Sequence, residues 1–292
     1  MGYDERIELG DGRRLWYLDE GDSEAVPVVF CHGSPGSRLS AVEHVQLAVE
    51  RGGRIIAPDR PGLGHSDPEP GRSLAGWASD VADLMNALGI ARFRVLAVSG
   101  GGPYALALAW ALPDRVERVA LLSSPGSFDI PGAMEGMARA HRTTWLLARW
   151  QPRLLGWFVG RQMVACRRDP ERFTQAIVDS MHGSDREALE QLDAEQRRRF
   201  ILAPLVEALW QGPKGAVEDM RALRAPWGFG VQSISVPVHL WHGEQDDATP
   251  LQMGGWLAAM IPGAQARFLP GEGHTSTILR YAGEAFEVLL AD

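Results

Sequence analysis

The amino-acid sequence predicts an α/β fold, with a mostly parallel central sheet that is flanked by helices and interrupted by a helical insertion. Two observations support this prediction. Short, almost wholly apolar runs alternate with helical patterns, which is typical of parallel strands that are buried on both faces. In addition, residues 127–231 contain several helical patterns and no convincing strand.

The first half of the chain supplies most of the sheet. An Asp11-Gly12 turn separates two short strand-like segments, which indicates a β-hairpin. Buried strands are then predicted at residues 26–32, 53–59, 93–99 and 116–124. Helices are predicted between them at residues 39–51, 74–88 and 104–112.

The same alternation returns after the insertion. Strands are predicted at residues 236–242 and 264–270, and helices at about 250–261 and 276–290. We therefore divide the chain into an α/β core of residues 1–126 and 232–292 and a helical cap, or lid, of residues 127–231.

The composition excludes several classes of function. The net charge of −8 on 292 residues, without a dominant basic cluster, argues against a nucleic-acid partner. The two cysteines, Cys31 and Cys166, have no nearby partner of the disulfide or zinc type. No apolar stretch is long enough for a membrane span, and the polar N-terminus does not resemble a signal peptide. We expect a reduced, cytoplasmic protein; its oligomeric state is left open.

The stretch RVLAVSGGGPYALALAW, residues 94–110, allows two interpretations. A strand, a glycine turn and a helix can open a dinucleotide site, and Gly100-x-Gly102-x-x-Ala105 meets the relaxed fingerprint of such sites. However, that site needs an acidic residue at the end of the next strand, which instead ends in Ser123-Ser124. Several strands also precede the fingerprint, whereas it normally belongs to the first βα unit. Both points disfavour a nucleotide-dependent oxidoreductase.

The alternative interpretation is a nucleophile elbow, the sharp strand-to-helix turn that exposes a catalytic serine. Such a turn needs small residues two positions before and two positions after the nucleophile. Ala97 and Gly101 meet this need on either side of Ser99, although glycine is more usual at the first position.

A serine nucleophile needs a base and an orienting acid, in the chain order Ser, Asp or Glu, His for this kind of turn. Asp246 lies in the turn after one predicted late strand, and His274 lies in a glycine-flanked loop after the next. Parallel strands would return both loops to the edge of the sheet that carries Ser99. Asp247 is the alternative acid.

An acyl-transfer site also needs donors for the oxyanion that forms during the reaction. The turn HGSPG, residues 32–36, can direct the backbone N–H of Ser34 toward that position. The N–H of Gly100, the residue after the nucleophile, is the predicted second donor.

Taken in order, the segments HGSPGS, DRPGLGHSD, AVSGGGPYALALA, WHGEQDDATP and GEGHTS resemble the α/β-hydrolase fold family, in its serine hydrolase branch. They cover both core segments, and the cap is similar only in its position. The resemblance implies a triad of Ser99, Asp246 and His274, an oxyanion hole of Ser34 and Gly100, and no metal or organic cofactor.

Within that family, Ser99 disfavours the epoxide hydrolases and haloalkane dehalogenases, because their nucleophile is an aspartate. Cofactor-free haloperoxidases are disfavoured as well, because they commonly have a methionine after the serine, where this chain has Gly100. Carbon–carbon bond hydrolases share the triad and stay open. Proline iminopeptidases also stay open, but they need cap acids to hold the amino group of the substrate; the candidates include Glu207, Glu218 and Asp219.

The substrate is predicted to be small and apolar, because several large aromatic residues of the cap should face either the protein core or an acyl pocket. These are Trp145, Trp150, Trp157, Phe158, Trp210 and Trp227. The sequence therefore predicts a serine hydrolase that cleaves an ester, or less readily an amide, through an acyl-enzyme. A non-catalytic ligand-binding protein of the same fold is the alternative from another class.

Overall fold

The apolar runs of the sequence form one eight-stranded sheet in a computed structural model of the protein, which describes residues 5–291. The strands are β1 Glu5–Glu8, β2 Arg14–Glu20, β3 Val26–Cys31, β4 Gly53–Pro58, β5 Phe93–Val98, β6 Val116–Leu122, β7 Val238–Gly243 and β8 Gln265–Leu269. Their order across the sheet is β1-β2-β4-β3-β5-β6-β7-β8. The β1–β2 and β2–β4 pairs are antiparallel and all others are parallel, which confirms the predicted fold class.

The helices of the chain are α1 Val42–Val49, α2 Leu74–Ala87, α3 Gly102–Ala111, α4 Arg139–Trp150, α5 Pro152–Arg168, α6 Pro170–Ser180, α7 Gly183–Glu190, α8 Ala194–Arg197, α9 Ala203–Ala208, α10 Lys214–Arg224, α11 Leu251–Met260 and α12 His274–Leu290. Short 3-10 turns occur at Arg38–Ala41, Ser99–Gly101 and Val231–Ser233, and a π-helical segment, Arg198–Leu202, joins α8 to α9. Within residues 5–291, no helix is both long and apolar enough to cross a bilayer.

Strand β3 shows how the sheet separates two layers of core. Successive side chains of a strand point to opposite faces. Val29 and Cys31 pack in the cluster that contains the buried residues of α2 and α3. Val28 and Phe30 pack in the other cluster, which includes Phe286 of α12. Burial on both faces is the reason why these strands read as continuous apolar runs.

Three predicted helix starts differ from the structure by two or more residues. The helix predicted from residue 104 begins at Gly102, as α3. The helix predicted from residue 39 begins as the 3-10 turn Arg38–Ala41, and α1 starts only at Val42. The helix predicted from residue 276 starts earlier, so His274 is the first residue of α12 rather than a loop residue. The reason is that acceptors from elsewhere in the chain satisfy the first N–H groups of α12, which an isolated helix leaves unpaired.

The segment between β6 and β7 holds helices α4–α10, and its described residues form no strand. We call residues 127–231 the insertion; its boundaries as a separate domain stay a prediction. Its best-defined link to the core is Asp219 of α10, whose side chain is fully buried. That carboxylate accepts hydrogen bonds from Arg60 Nε at 2.8 Å and Nη2 at 2.9 Å, and from the Tyr104 hydroxyl at 2.8 Å.

Charge balance makes this link strong. Burial raises the pKa of Asp219, but the guanidinium groups of Arg60 and Arg72 outweigh this effect and hold the pKa well below its ordinary value. The side chain of Arg60 is also almost completely buried. Each charge therefore depends on the other to offset the cost of leaving water.

We predict that Asp219→Ala lowers the free energy of unfolding by about 3–5 kcal/mol, because it leaves the Arg60 charge buried without its counter-charge. Urea denaturation followed by circular dichroism measures this loss. Glu218→Ala is the matched control, since Glu218 is the neighbouring acid, is only half-buried and has no ion pair among the described residues. Equal losses in the two variants would contradict the assignment.

Candidate active site

Ser99 follows β5 directly and lies in a backbone conformation that is rare for residues other than glycine, with φ of +49°. It begins the 3-10 turn that leads into α3. A β-carbon at Gly101 would overlap the carbonyl oxygen of Cys31, and one at Gly102 would overlap the Ser124 hydroxyl. Close packing thus accounts for these two glycines, and the strained turn presents Ser99 as an elbow does.

Ser99, His274 and Asp246 form one continuous hydrogen-bonded chain. Ser99 Oγ lies 2.9 Å from His274 Nε2, and His274 Nδ1 lies 2.8 Å from Asp246 Oδ2. The three residues follow β5, β8 and β7, so the structure brings them together at the carboxyl edge of the sheet. The acid in contact with the imidazole is Asp246 rather than Asp247, whose backbone oxygen instead accepts from the Ala138 N–H.

Asp246 is held in place by its own turn. Its Oδ1 accepts from the backbone N–H groups of Ala248, at 2.9 Å, and Thr249, at 2.7 Å. The Thr249 hydroxyl donates to Oδ2 at 2.8 Å. Burial raises the pKa of Asp246, but the charge and hydrogen bond of His274, together with the His242 imidazole and the Thr249 N–H, lower it by more, so the net pKa lies below its ordinary value. The group is therefore a fixed carboxylate at neutral pH.

Asp246 determines both the pKa and the tautomer of the His274 imidazole. Burial lowers the pKa of His274, but the charge and hydrogen bond of Asp246 more than offset this, so the pKa is raised. A carboxylate accepts hydrogen bonds, and it therefore favours the tautomer with the proton on Nδ1. In that tautomer Nε2 has a free lone pair directed at the Ser99 hydroxyl, and it can accept the proton of that hydroxyl.

The loop of the predicted oxyanion donors lies against the elbow. A β-carbon placed on Gly100 would lie 3.2 Å from the backbone nitrogen of Ser34, and one on Gly33 would lie 3.4 Å from Cβ of Ser99. Arg60 holds this loop by donating to the carbonyl oxygens of His32, at 2.6 Å, and Gly33, at 2.9 Å. Ser34 and Gly100 are thus close together beside Ser99, and their role as oxyanion donors stays a prediction.

Asp185 is a site-related residue that the sequence does not reveal. It belongs to α7 of the insertion, and its carboxylate accepts from the backbone N–H groups of His274, at 3.1 Å, and Ser276, at 2.8 Å. The Ser123 hydroxyl donates to the His274 carbonyl oxygen at 3.0 Å. The backbone of His274 is therefore fixed from both the insertion and the core. Asp185 lies 89 positions from His274, so no local pattern could indicate the pair.

The acids predicted as candidates for binding a substrate amino group have other partners or positions. Asp219 is paired with Arg60, as described above. Glu207 Oε1 lies 2.6 Å from Arg38 Nη1 and 3.2 Å from His65 Nε2. Glu218 borders a shallow surface pocket between α5 and α10. This expectation from the sequence therefore receives no support from the geometry.

A cavity of about 530 Å³ lies between the Ser34–Pro35 turn and the insertion helices α4, α5, α9 and α10. Most of its lining is apolar and includes Trp145, Leu147, Phe158, Met163, Leu209 and Met220. The residues present suit an apolar ligand. No group of three or more metal-ligating side chains occurs in the described part of the chain.

The six large aromatic residues singled out in the insertion divide into three sets, and the expectation that they all face inward is wrong. Trp145 and Phe158 line the cavity, and Trp227 is buried against Phe229 and Trp256. The other three are largely exposed, namely Trp150, Trp157 and Trp210. In α4 and α5 the reason is that the buried face is already formed by other residues, Trp145, Ala148, Leu155, Val159 and Cys166.

The chain resembles known proteins along most of its length. The chain is 29% identical over 279 residues to 2-hydroxymuconate semialdehyde hydrolase of Pseudomonas putida, covering 92% of this chain and 87% of that one. It is 24% identical over 305 residues to a proline iminopeptidase of Xylella fastidiosa, covering 92% and 89% of the two chains.

Among solved structures, a bromoperoxidase from Bacillus anthracis superposes with a TM-score of 0.73 at 22% identity, covering 99% of this chain and 100% of that one. This likeness supports the fold alone. The family model for the α/β hydrolase fold matches residues 26–281, which is most of the chain. The protein therefore belongs to the α/β hydrolase fold family.

Proposed function

We propose that this protein is a serine hydrolase that cleaves an ester, and less readily an amide, of a small apolar acyl compound. The observation that carries the proposal is the chain of hydrogen bonds from Ser99 through His274 to Asp246, at 2.9 and 2.8 Å. The apolar cavity that borders Ser34 supports an apolar acyl group.

In the proposed reaction, Ser99 Oγ attacks the carbonyl carbon while His274 Nε2 takes the hydroxyl proton. The carbonyl oxygen becomes an oxyanion, for which the N–H groups of Ser34 and Gly100 are the proposed donors. The C–O bond to the leaving group then breaks, and the protonated His274 returns the proton to that oxygen. In the second half, water gives a proton to His274 and attacks the acyl carbon. The bond from that carbon to Ser99 Oγ then breaks, the acid leaves, and His274 returns the proton to Ser99 Oγ.

Carbon–carbon bond hydrolysis is a second candidate, because the relative from Pseudomonas putida resembles this chain over nearly its whole length. A proline iminopeptidase-like activity has less support, since Glu207 and Asp219 are engaged in ion pairs. A panel of p-nitrophenyl esters of graded acyl length, run beside 2-hydroxymuconate semialdehyde and a prolyl arylamide, distinguishes the three. A preference for the second or third compound would replace the ester proposal.

We predict that Ser99→Ala lowers kcat for the best ester by about 10⁴-fold or more, because removal of the nucleophile leaves only binding and oxyanion stabilisation. A fluorophosphonate probe should label the wild-type protein at Ser99 and not the variant, as read by intact mass spectrometry. Ser127→Ala is a matched control, because its hydroxyl accepts from the Asp129 N–H at 3.2 Å and makes no hydrogen bond to the candidate triad in the described part of the chain. A folded wild-type protein that gives no adduct would favour the non-catalytic alternative.

We predict that kcat/KM rises with pH as His274 loses its proton, because a protonated imidazole cannot accept the Ser99 hydrogen. Since Asp246 raises the pKa of His274 despite burial, the midpoint should lie above the ordinary histidine value of about 6.5. In Asp246→Asn the attraction is lost and burial dominates, so the residual activity should have a lower midpoint. A wild-type midpoint below the ordinary value would contradict this assignment.

We predict that Asp185→Asn lowers kcat by about tenfold, because it loses one acceptor for the first turn of α12 and shifts the backbone of His274. It should also move the pH midpoint downward, since the Asp185 charge contributes to the raised pKa of His274. A purely structural role would leave that midpoint unchanged. Glu187→Gln on the same helix is the matched control, because the Glu187 side chain is 69% exposed.

A further inference from the structure

Two consecutive helices of the insertion, α4 and α5, carry a charge opposite to that of the whole chain. Residues 139–168 contain seven arginines and no aspartate or glutamate, whereas the net charge of the chain is −8. Every one of these arginines is exposed, and none has an ion-pair partner among residues 5–291. They are Arg139, Arg142, Arg149, Arg153, Arg161, Arg167 and Arg168.

The same two helices expose most of the large apolar side chains that face solvent. Ten such side chains are exposed in the described chain, and six of them belong to α4 and α5. We call these six the α4–α5 patch: Leu146, Trp150, Leu154, Trp157, Phe158 and Val164. Six large apolar side chains exposed on two consecutive helices are an unusual concentration for a soluble protein, and such a concentration is typical of an interaction surface.

The patch is organised rather than scattered. Leu146 and Trp150 are four positions apart on α4, and Leu154 and Phe158 are four apart on α5, so each pair shares one face of its helix. Trp150 is 67% exposed and Trp157 is 56% exposed. Each tryptophan ring has an arginine over it: Arg149 at 5.0 Å from the centroid of Trp150, and Arg161 at 5.4 Å from that of Trp157.

Tryptophan rings next to arginines are complementary to an anionic lipid surface. Tryptophan rings are favoured at the level of the headgroups, where one part of the ring is apolar and the N–H is solvated. Guanidinium groups bind phosphate with two parallel hydrogen bonds. The absence of carboxylates from residues 139–168 reduces, at this part of the molecule, the repulsion that an acidic chain experiences at an anionic surface.

We propose that the α4–α5 patch docks the protein on anionic phospholipid surfaces, with its tryptophans at the headgroup level and its arginines on lipid phosphates. This is peripheral binding, and it does not depend on the proposed hydrolase activity. Phe158 is 45% exposed and also lines the apolar cavity. Docking through this patch therefore places the cavity next to the lipid, from which an apolar ligand can enter without crossing water.

The test uses the full chain carrying Ser99→Ala, so that lipid hydrolysis cannot alter the vesicles. Binding to vesicles of phosphatidylcholine alone is compared with binding to vesicles of phosphatidylcholine and phosphatidylglycerol in equal parts, by flotation and by tryptophan fluorescence. We expect binding to the anionic vesicles that weakens as salt is raised. Arg153→Gln with Arg161→Gln should weaken the partition coefficient by about 25-fold, or about fivefold per arginine.

Removing the aromatic anchors tests the apolar contribution. Trp150→Ser with Trp157→Ser should weaken binding by about tenfold or more and abolish most of the fluorescence change. Two controls should bind like the parent: Trp210→Ser, which removes an exposed tryptophan outside the patch, and Arg6→Gln with Arg92→Gln, which removes two exposed arginines outside it. Thermal unfolding verifies that each variant is folded.

Failure of the parent protein to bind anionic vesicles would overturn the proposal, and so would equal binding by patch variants and controls. Light scattering after gel filtration gives a further outcome. If the patch variants change the molar mass of the protein while the parent does not bind vesicles, the patch is an interface between two copies and the lipid proposal is wrong.

Discussion

The buried guanidinium of Arg60 is the interaction on which the rest of the site depends. It pairs with Asp219 of the insertion and at the same time donates to the carbonyl oxygens of His32 and Gly33. Asp219 also accepts from the Ser34 hydroxyl at 2.5 Å. One cation therefore connects the loop beside Ser99 to the helical layer above it, and a buried charge tolerates little displacement from its partner.

Much of the fold can be predicted from local patterns of apolar and polar residues in the sequence. Strand β3 was predicted to within one residue, because a strand buried on both faces needs consecutive apolar side chains. The candidate triad was also accessible, since Ser99, Asp246 and His274 each follow a strand and therefore meet at one edge of the sheet. Asp246 could not be separated from Asp247 by pattern, because only the direction of the turn decides which carboxylate reaches the imidazole.

The other contacts of the candidate site cannot be predicted from local patterns, because they join residues that are distant in the chain. Asp219 is 159 positions from Arg60, and Asp185 is 89 positions from His274. Asp185 is indistinguishable in the sequence from an ordinary polar residue of an amphipathic helix, and Asp219 is a candidate only for binding a substrate amino group. The exposure of Trp150 and Trp157 cannot be predicted either, because hydrophobicity alone does not tell which face of a helix packs inward when both faces carry apolar side chains.

The contacts of Asp219 and Asp185 have a consequence for how this chain can be altered. Two carboxylates from the insertion satisfy groups of the core: Asp219 pairs with the Arg60 guanidinium, and Asp185 accepts from the first N–H groups of α12. A shortened chain that joins residue 126 directly to residue 232 would carry a buried cation without a counter-charge and a helix α12 with bare N–H groups. A substitute insertion from another member of the family would have to bring carboxylates to the same two points, so the insertion of this protein is not an exchangeable module.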